Sequence, residues 1–306
     1  MRRTALIGAP TSLGAFAPGQ EQAPRALREA GLAADADLGD IPLRRWAPDR
    51  AHRRAQNAAG VTQAAREVAE RVEAAIRSGH VPVVLGGDCT VGLGTVAGAV
   101  AAGGPPPGLV YLDMHPDLHT PETVGTGTLD WMGVAHLVGL PGTVPELAAL
   151  ARLGPTDILL FGRDPSQTRP VEQEAIERLG IASIDVDRVA ADPGAAAREA
   201  LAAFPHERLL VHFDVDVVDF VDLPLSENSG LNVGLPFDAA RAALATFLAD
   251  PRFAGLTVTE HNPAHGPEDG SATAVLAEAL QRALSSAASR PSGAPQSSIE
   301  AGAGMP

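Results

Sequence analysis

The chain has 306 residues, of which 45% are hydrophobic and 20% charged, an ordinary balance for a globular protein and enough chain for one large α/β domain. Its formal net charge is −14 with no Lys/Arg block, which excludes a nucleic-acid binder, because phosphate recognition needs a basic patch. No apolar run reaches the roughly 18 residues of a membrane span, the apolar part of Met1–Gly8 is too short for a secretory signal, and a lone cysteine, Cys89, rules out an internal disulfide, so a cytoplasmic location is expected.

In chain order, a strand near Thr4–Gly8 is followed by helices at Ala23–Ala30 and Val61–Ser78 and a strand at Val81–Leu85. A helix at Val91–Ala102, strands at Gly108–Leu112 and Asp157–Phe161, a helix at Val171–Leu179 and a strand at Ala182–Asp185 come next. The pattern closes with a helix at Gly194–Ala203, a strand at Arg208–Phe213, a helix at Phe237–Ala249, a strand at Gly255–Thr259 and a helix at Gly270–Leu284. Such alternation predicts βαβ units and a mostly parallel sheet with both faces covered, which explains why the strands are apolar throughout. Residues 1–284 read as one domain. The Ser/Ala/Pro/Gly-rich stretch 285–306 has little to bury and is expected to be disordered.

Ligands of parallel sheets bind beyond the carboxyl ends of the strands, and four polar clusters sit there. Asp113, His115 and Asp117 alternate after Gly108–Leu112, so in extended backbone all three face one point. Oxygen and imidazole donors together suit Mn²⁺, Zn²⁺, Fe²⁺ or Ni²⁺, although a polar loop would read the same way. Asp214 and Asp216 alternate after Arg208–Phe213. Buried carboxylates need a cation, and an N-cap explains one of them but not both. Gly86-Gly87-Asp88-Cys89-Thr90 carries a strand through paired glycines into a helix, leaving Cys89 either a small buried hydrophobe or a thiolate ligand. Glu260 ends the last strand, as a cap or surface carboxylate or as partner for a cationic substrate.

These motifs, in this order, together with Ile7-Gly8-Ala9-Pro10 and Pro18–Arg28, resemble the arginase/agmatinase (ureohydrolase) family over nearly the whole chain to about residue 284. The resemblance implies a three-layer α/β/α sandwich with an eight-stranded parallel sheet and two Mn²⁺ ions sharing a hydroxide. Asp113 and Asp214 would bridge the ions, His115 and Asp216 would complete one, and Asp117 and Cys89 the other. The implied reaction is hydrolysis of a guanidino C–N bond to urea, or a substituted urea, and an amine, with Asp117 relaying a proton and Glu260 orienting the guanidinium. It also implies a small guanidino substrate and a homo-oligomer, commonly a trimer or hexamer.

Three departures bear on metal and substrate. Cys89 stands where the family has a histidine, and thiolate is softer than imidazole, so its metal site is expected to be weak or selective for another divalent ion. His119, Thr126 and Thr128 stand where the family contacts a substrate carboxylate, and Asp130 where a histidine would shuttle protons. Ser166 stands where an aspartate would hold an α-amino group, and Arg163-Asp164 is expected to be an ion pair. Arginine recognition is thus altered at both ends of the substrate. Hydrolysis of N-hydroxyarginine to hydroxyurea and ornithine, amide hydrolysis, and a degenerate non-catalytic ligand binder are the alternatives.

Overall fold

Runs of Val, Leu and Ile bounded by Gly, Pro and Asp become strands in the computed structural model, which describes residues 2–228 and 230–288. The strands are β1 (Arg3–Gly8), β2 (Ala36–Asp40), β3 (His80–Leu85), β4 (Pro107–Leu112), β5 (Ile158–Arg163), β6 (Ala182–Asp185), β7 (Arg208–Asp214) and β8 (Phe253–Thr259). They form one eight-stranded sheet in the order β2-β1-β3-β8-β7-β4-β5-β6, and every neighbouring pair is parallel.

Side chains alternate across each strand, and the two faces are covered by different helices. On one face, Leu6, Leu85, Leu112, Phe161, Val211 and Phe213 pack against α1 (Ala23–Glu29), α7 (Val186–Ala191), α8 (Pro193–Ala203), α9 (Phe237–Leu248) and α10 (Ser271–Ala288). On the other, Leu109, Tyr111, Leu160 and Leu210 meet α2 (Ala58–Arg77), α3 (Val91–Ala101), α4 (Gly133–Val138), α5 (Pro145–Ala148) and α6 (Pro170–Leu179). This is the three-layer arrangement expected from the sequence.

β2 escaped the sequence reading because Ala36-Asp37-Leu38-Gly39-Asp40 is an exposed edge with no apolar pattern. It is held by pairing to β1 and by Arg28 of α1, whose guanidinium lies 2.8 Å from Asp37 and 2.7 Å from Asp40. At the other end, α10 runs to Ala288, four residues past the sequence-derived limit. The rest of the stretch expected to be disordered lies outside the described residues. Among the described residues, no helix is long and apolar enough to cross a membrane.

Candidate metal centre and active site

Parallel pairing of β4 with β7 sets Leu112 beside Phe213, so Asp113 and Asp214 leave the sheet together. Each then makes the same turn. Asp113 Oδ1 accepts the His115 amide at 2.6 Å, and Asp214 Oδ1 accepts the Asp216 amide at 2.7 Å. This is the Asx turn, in which an aspartate folds the chain back by holding the amide two residues on. The convergence therefore does not come from extended alternation, as the spacing suggested. Val215–Val217 is a single 3₁₀ turn, and Asp117 adopts a left-handed φ of 50°.

Two groups of donors result. Donor atoms of Cys89, Asp113, His212 and Asp214 lie within 4.8 Å of one another, as do those of Asp113, His115 and Asp216. Asp113 is common to both. His115 Nδ1 is 3.0 Å from Asp216 Oδ2, which also accepts a 2.6 Å hydrogen bond from Asn228. Asp117 lies alongside but belongs to neither group. Its Oδ2 accepts the Tyr111 hydroxyl at 2.5 Å.

The electrostatics fit a cation. Among the described residues, Asp113 Oδ2 and Asp216 Oδ1 are buried with no hydrogen-bond partner. Burial, and then repulsion from Asp214, Asp216 and Asp117, holds Asp113 well above the usual carboxylate range. Burial, and then Asp216 and Glu260, does the same to Asp214. Asp117 is pushed up to about 7 by burial, against the Tyr111 hydrogen bond and His115. Burial opposes charge on His115, but Asp216 outweighs it and raises the ring to about 9. Unpaired buried carboxylates of this density are costly without a metal ion.

Cys89 reaches the cleft because β3 ends in a loop pressed against its neighbours. A Cβ on Gly87 would stand 1.7 Å from the Thr11 carbonyl oxygen, so only glycine fits there. Asp88 ties the loop down by accepting the amides of Gly14 and Thr90. The Cys89 thiol donates to Asp214 Oδ2 at 2.8 Å. The Cys89 amide donates to Glu260 Oε1 at 2.8 Å, and Gln20 Nε2 donates to Oε2 at 2.9 Å. Glu260 itself has φ 62°, and burial and then Asp88 hold its carboxyl well above normal.

Asp130 sits across this cleft, 2% exposed, with Oδ1 unpartnered among the described residues. Burial, and then Glu260, Asp88 and Asp117, holds it well above the usual range. Phe16 and Trp131, 6.3 Å apart, line the same cleft. It adjoins a cavity of about 400 Å³ lined by His115, Asp117, His119, Trp131, Ser166, Arg169 and Glu172, among others. His119 Nε2 lies 3.4 Å from Glu172.

Other expected contacts fall elsewhere. The Thr126 and Thr128 hydroxyls bond each other at 2.7 Å and line neither the cleft nor this cavity. Their loop is held by Gln56, whose side chain donates to the Thr126 carbonyl. Arg163 pairs at 2.8 Å with Asp185 on the neighbouring strand and not with Asp164, which caps the Ser166 amide. The sequence reading also passed over Gln20, Tyr111, His212 and Asn228. Gln20 lay in the opening segment already singled out, but nothing local shows that it reaches a residue 240 positions away. His212 sits inside an apolar strand, where only its parity with Asp214 marks it.

The sequence model of the arginase family matches residues 2–285. Human arginase-1 is 28% identical over 301 residues, covering 91% of each chain. Hepatic arginase of Aquarana catesbeiana is 33% identical over 205 residues, covering 61% of this chain and 62% of its own. Among solved structures, Bacillus caldovelox arginase superposes with a TM-score of 0.81 at 24% identity, covering 93% of this chain and 98% of its own. Trypanosoma cruzi formiminoglutamase, solved with Mn²⁺, superposes at 0.75 and 18%, covering 95% of each. The chain belongs to the arginase family and is a hydrolase acting on the carbon–nitrogen bond of an amidino group.

Proposed function

We propose that the chain hydrolyses a small guanidino compound to urea, or a substituted urea, and an amine. The supporting observation is a surplus of buried acidic groups, whose charged forms are costly until a cation lies beside them. Once Asp113, Asp214 and Asp216 are given to metal ions, Asp130, Glu260 and Asp117 remain as buried carboxyls around the same cleft. A guanidinium meets that need, whereas a neutral amide does not.

Asp113, His115 and Asp216 offer the oxygen and imidazole donors that suit Mn²⁺, and Cys89 and Asp214 contribute to a second, softer position. When bound, the ions would polarise the amidino group and activate water. The chain's own residues do the rest. Glu260, fixed by Gln20 and the Cys89 amide, orients the guanidinium. Asp117, steadied by the Tyr111 hydroxyl, takes up a proton, and Asp130 with its free Oδ1 passes one to the leaving amine. His119 and Ser166 line the cavity that receives the far end of the substrate, with Arg169 beside them.

The test is release of urea, or of hydroxyurea from N-hydroxyarginine, by Mn²⁺-loaded protein across arginine, agmatine, guanidinobutyrate, guanidinopropionate and N-hydroxyarginine. Turnover of a guanidino compound other than arginine, or well above arginine, is expected. Cys89 in a ligand position favours one second reading, N-hydroxyarginine hydrolysis, which predicts hydroxyurea as the dominant product. No turnover of any compound by protein loaded with Mn²⁺, or with Mn²⁺ together with Zn²⁺ or Co²⁺, would leave a non-catalytic binder. Self-association as a trimer or hexamer belongs to the same reading and is checked by sedimentation.

A further inference from the structure

We propose that His212 is a metal ligand, completing with the Cys89 thiolate, Asp113 and Asp214 a buried four-donor site of one sulfur, one nitrogen and two oxygens. The proposal rests on reading the cleft as a metal centre and adds to it a residue that the sequence motifs do not supply.

The position follows from strand parity. His212 is two residues before Asp214 on β7, so both face the same side of the sheet. Its register partner on β4 is Tyr111, and the two rings stack with centroids 4.3 Å apart and planes 9° apart. That stacking fixes the plane of the imidazole. Room for the ring comes from α3, where a Cβ on Gly92 would lie 2.7 Å from His212 Nδ1. Nε2 then points toward Cys89, 3.3 Å from Sγ, and lies 3.1 Å from Thr259 Oγ1.

The chemistry matches the substitution. A cysteine carries its donor atom next to Cβ, whereas a histidine carries its outer nitrogen across a ring. An ion held by Cys89 must therefore lie deeper, toward the strands, where the imidazole of His212 waits. Asp113 supplies a second, independent sign of a missing ligand: it is 1% exposed and its Oδ2 has no hydrogen-bond partner among the described residues. All four side chains are buried, and their donor atoms lie within 4.8 Å of one another. One sulfur, one nitrogen and two carboxylate oxygens make a four-donor set whose chemistry suits Zn²⁺ or Co²⁺ better than Mn²⁺. Binding displaces the thiol proton to solvent and leaves a Zn²⁺– or Co²⁺–thiolate bond, with no redox change. Because Asp113 also belongs to the His115–Asp216 group, the centre would hold two unlike ions.

The test uses the full chain and reads metal content and spectra, independently of turnover. Co²⁺-loaded wild type is expected to show a thiolate-to-cobalt charge-transfer band and intense tetrahedral ligand-field bands. In H212N the Co²⁺ affinity of this site should fall by more than the roughly 100-fold that loss of an indirect partner costs, and the ligand-field bands should weaken. In C89H the new imidazole reaches the ion itself, so adding H212N there should change affinity by less than about threefold. Should H212N fail to fold, X-ray absorption of an H115N variant carrying Zn²⁺, in which His212 is the imidazole left in the two donor groups, decides: a shell with sulfur and imidazole supports the proposal. A shell with sulfur but no imidazole overturns it, as does unchanged Co²⁺ affinity and spectrum in H212N. Wild type that retains no ion of any kind overturns both this proposal and the metal-centre reading. Ion binding that ignores His212 overturns only this one.

Discussion

Asp130 and the Thr126–Thr128 pair make opposite demands on a single-residue test. Asp130 is buried with an unpartnered oxygen facing the cleft, so D130N should lower kcat by about 10²–10⁴-fold, the usual yield of a positioned acid or base, while metal content stays unchanged. Equal loss of metal and activity would make Asp130 a support for the ions instead. Thr126 and Thr128 bond each other away from the cavity. T126A and T128A should therefore leave KM alone and cost about 0.5–1.5 kcal/mol of stability, the value of one hydrogen bond. A raised KM would restore them as substrate contacts. The carboxylates at strand ends were legible in the sequence because alternation after an apolar run is a local pattern. The partner of Arg163, the fate of Thr126 and the orientation of His212 were not, because each depends on a neighbour that only sheet register supplies.

At the scale of an element, the loop from β3 into α3 is fixed by exclusion. Gly87 admits no side chain because the Thr11 carbonyl fills the space, so G87A should cost at least about 3 kcal/mol and displace Cys89 and Glu260 together, since Glu260 donates its amide to the Gly87 carbonyl at 2.7 Å. A thermal shift smaller than about 2 °C on that substitution would contradict the packing. Two other joints depend on neutral histidines. His136 bonds the Met132 carbonyl at 2.7 Å and accepts the Val144 amide, and His261 bonds the Leu225 carbonyl at 2.8 Å and faces Thr273 of α10. Burial lowers each ring to about 4. A histidine held neutral in the folded chain contributes stability that is present above its unfolded value and lost as pH falls toward 4. The strands that build these elements were visible as apolar runs, whereas the edge strand β2 was not, because its side chains are mostly exposed.

For the whole molecule, the carboxyls of the cleft set the sign of the pH dependence. Asp113, Asp130, Asp214 and Glu260 are held above their usual range by burial first and by neighbouring carboxyls of the cleft and of Asp88 next, and Asp117 stands at about 7. Each keeps its proton in the folded chain at a pH where the unfolded chain has lost it. Their contribution is therefore greatest below the unfolded pKa of about 4 and is lost as pH rises through the folded values. Metal-free protein should thus lose the Asp117 share of this stability between about pH 4 and pH 7, and the rest as pH rises further through the raised values of the other four. Added Mn²⁺ should reverse the trend, because ions bind the deprotonated ligands. Melting curves with and without Mn²⁺ should draw apart as pH rises from about 5 to about 8, and a gap that stays constant would refute the linkage.

The strand order carries a kinetic consequence. β8, the last strand in the chain, lies in the middle of the sheet between β3 and β7. Until it inserts, the earlier strands can form only two half-sheets, β2-β1-β3 and β7-β4-β5-β6, each with an unpaired apolar edge of the kind that invites aggregation. Glu260 follows β8 directly and holds the Cys89 amide, so the ion pocket closes only when this wedge enters. Ion capture should therefore trail the appearance of helix during refolding. A metal-sensitive signal that rises together with the first helical signal would show that the two halves meet by some earlier route.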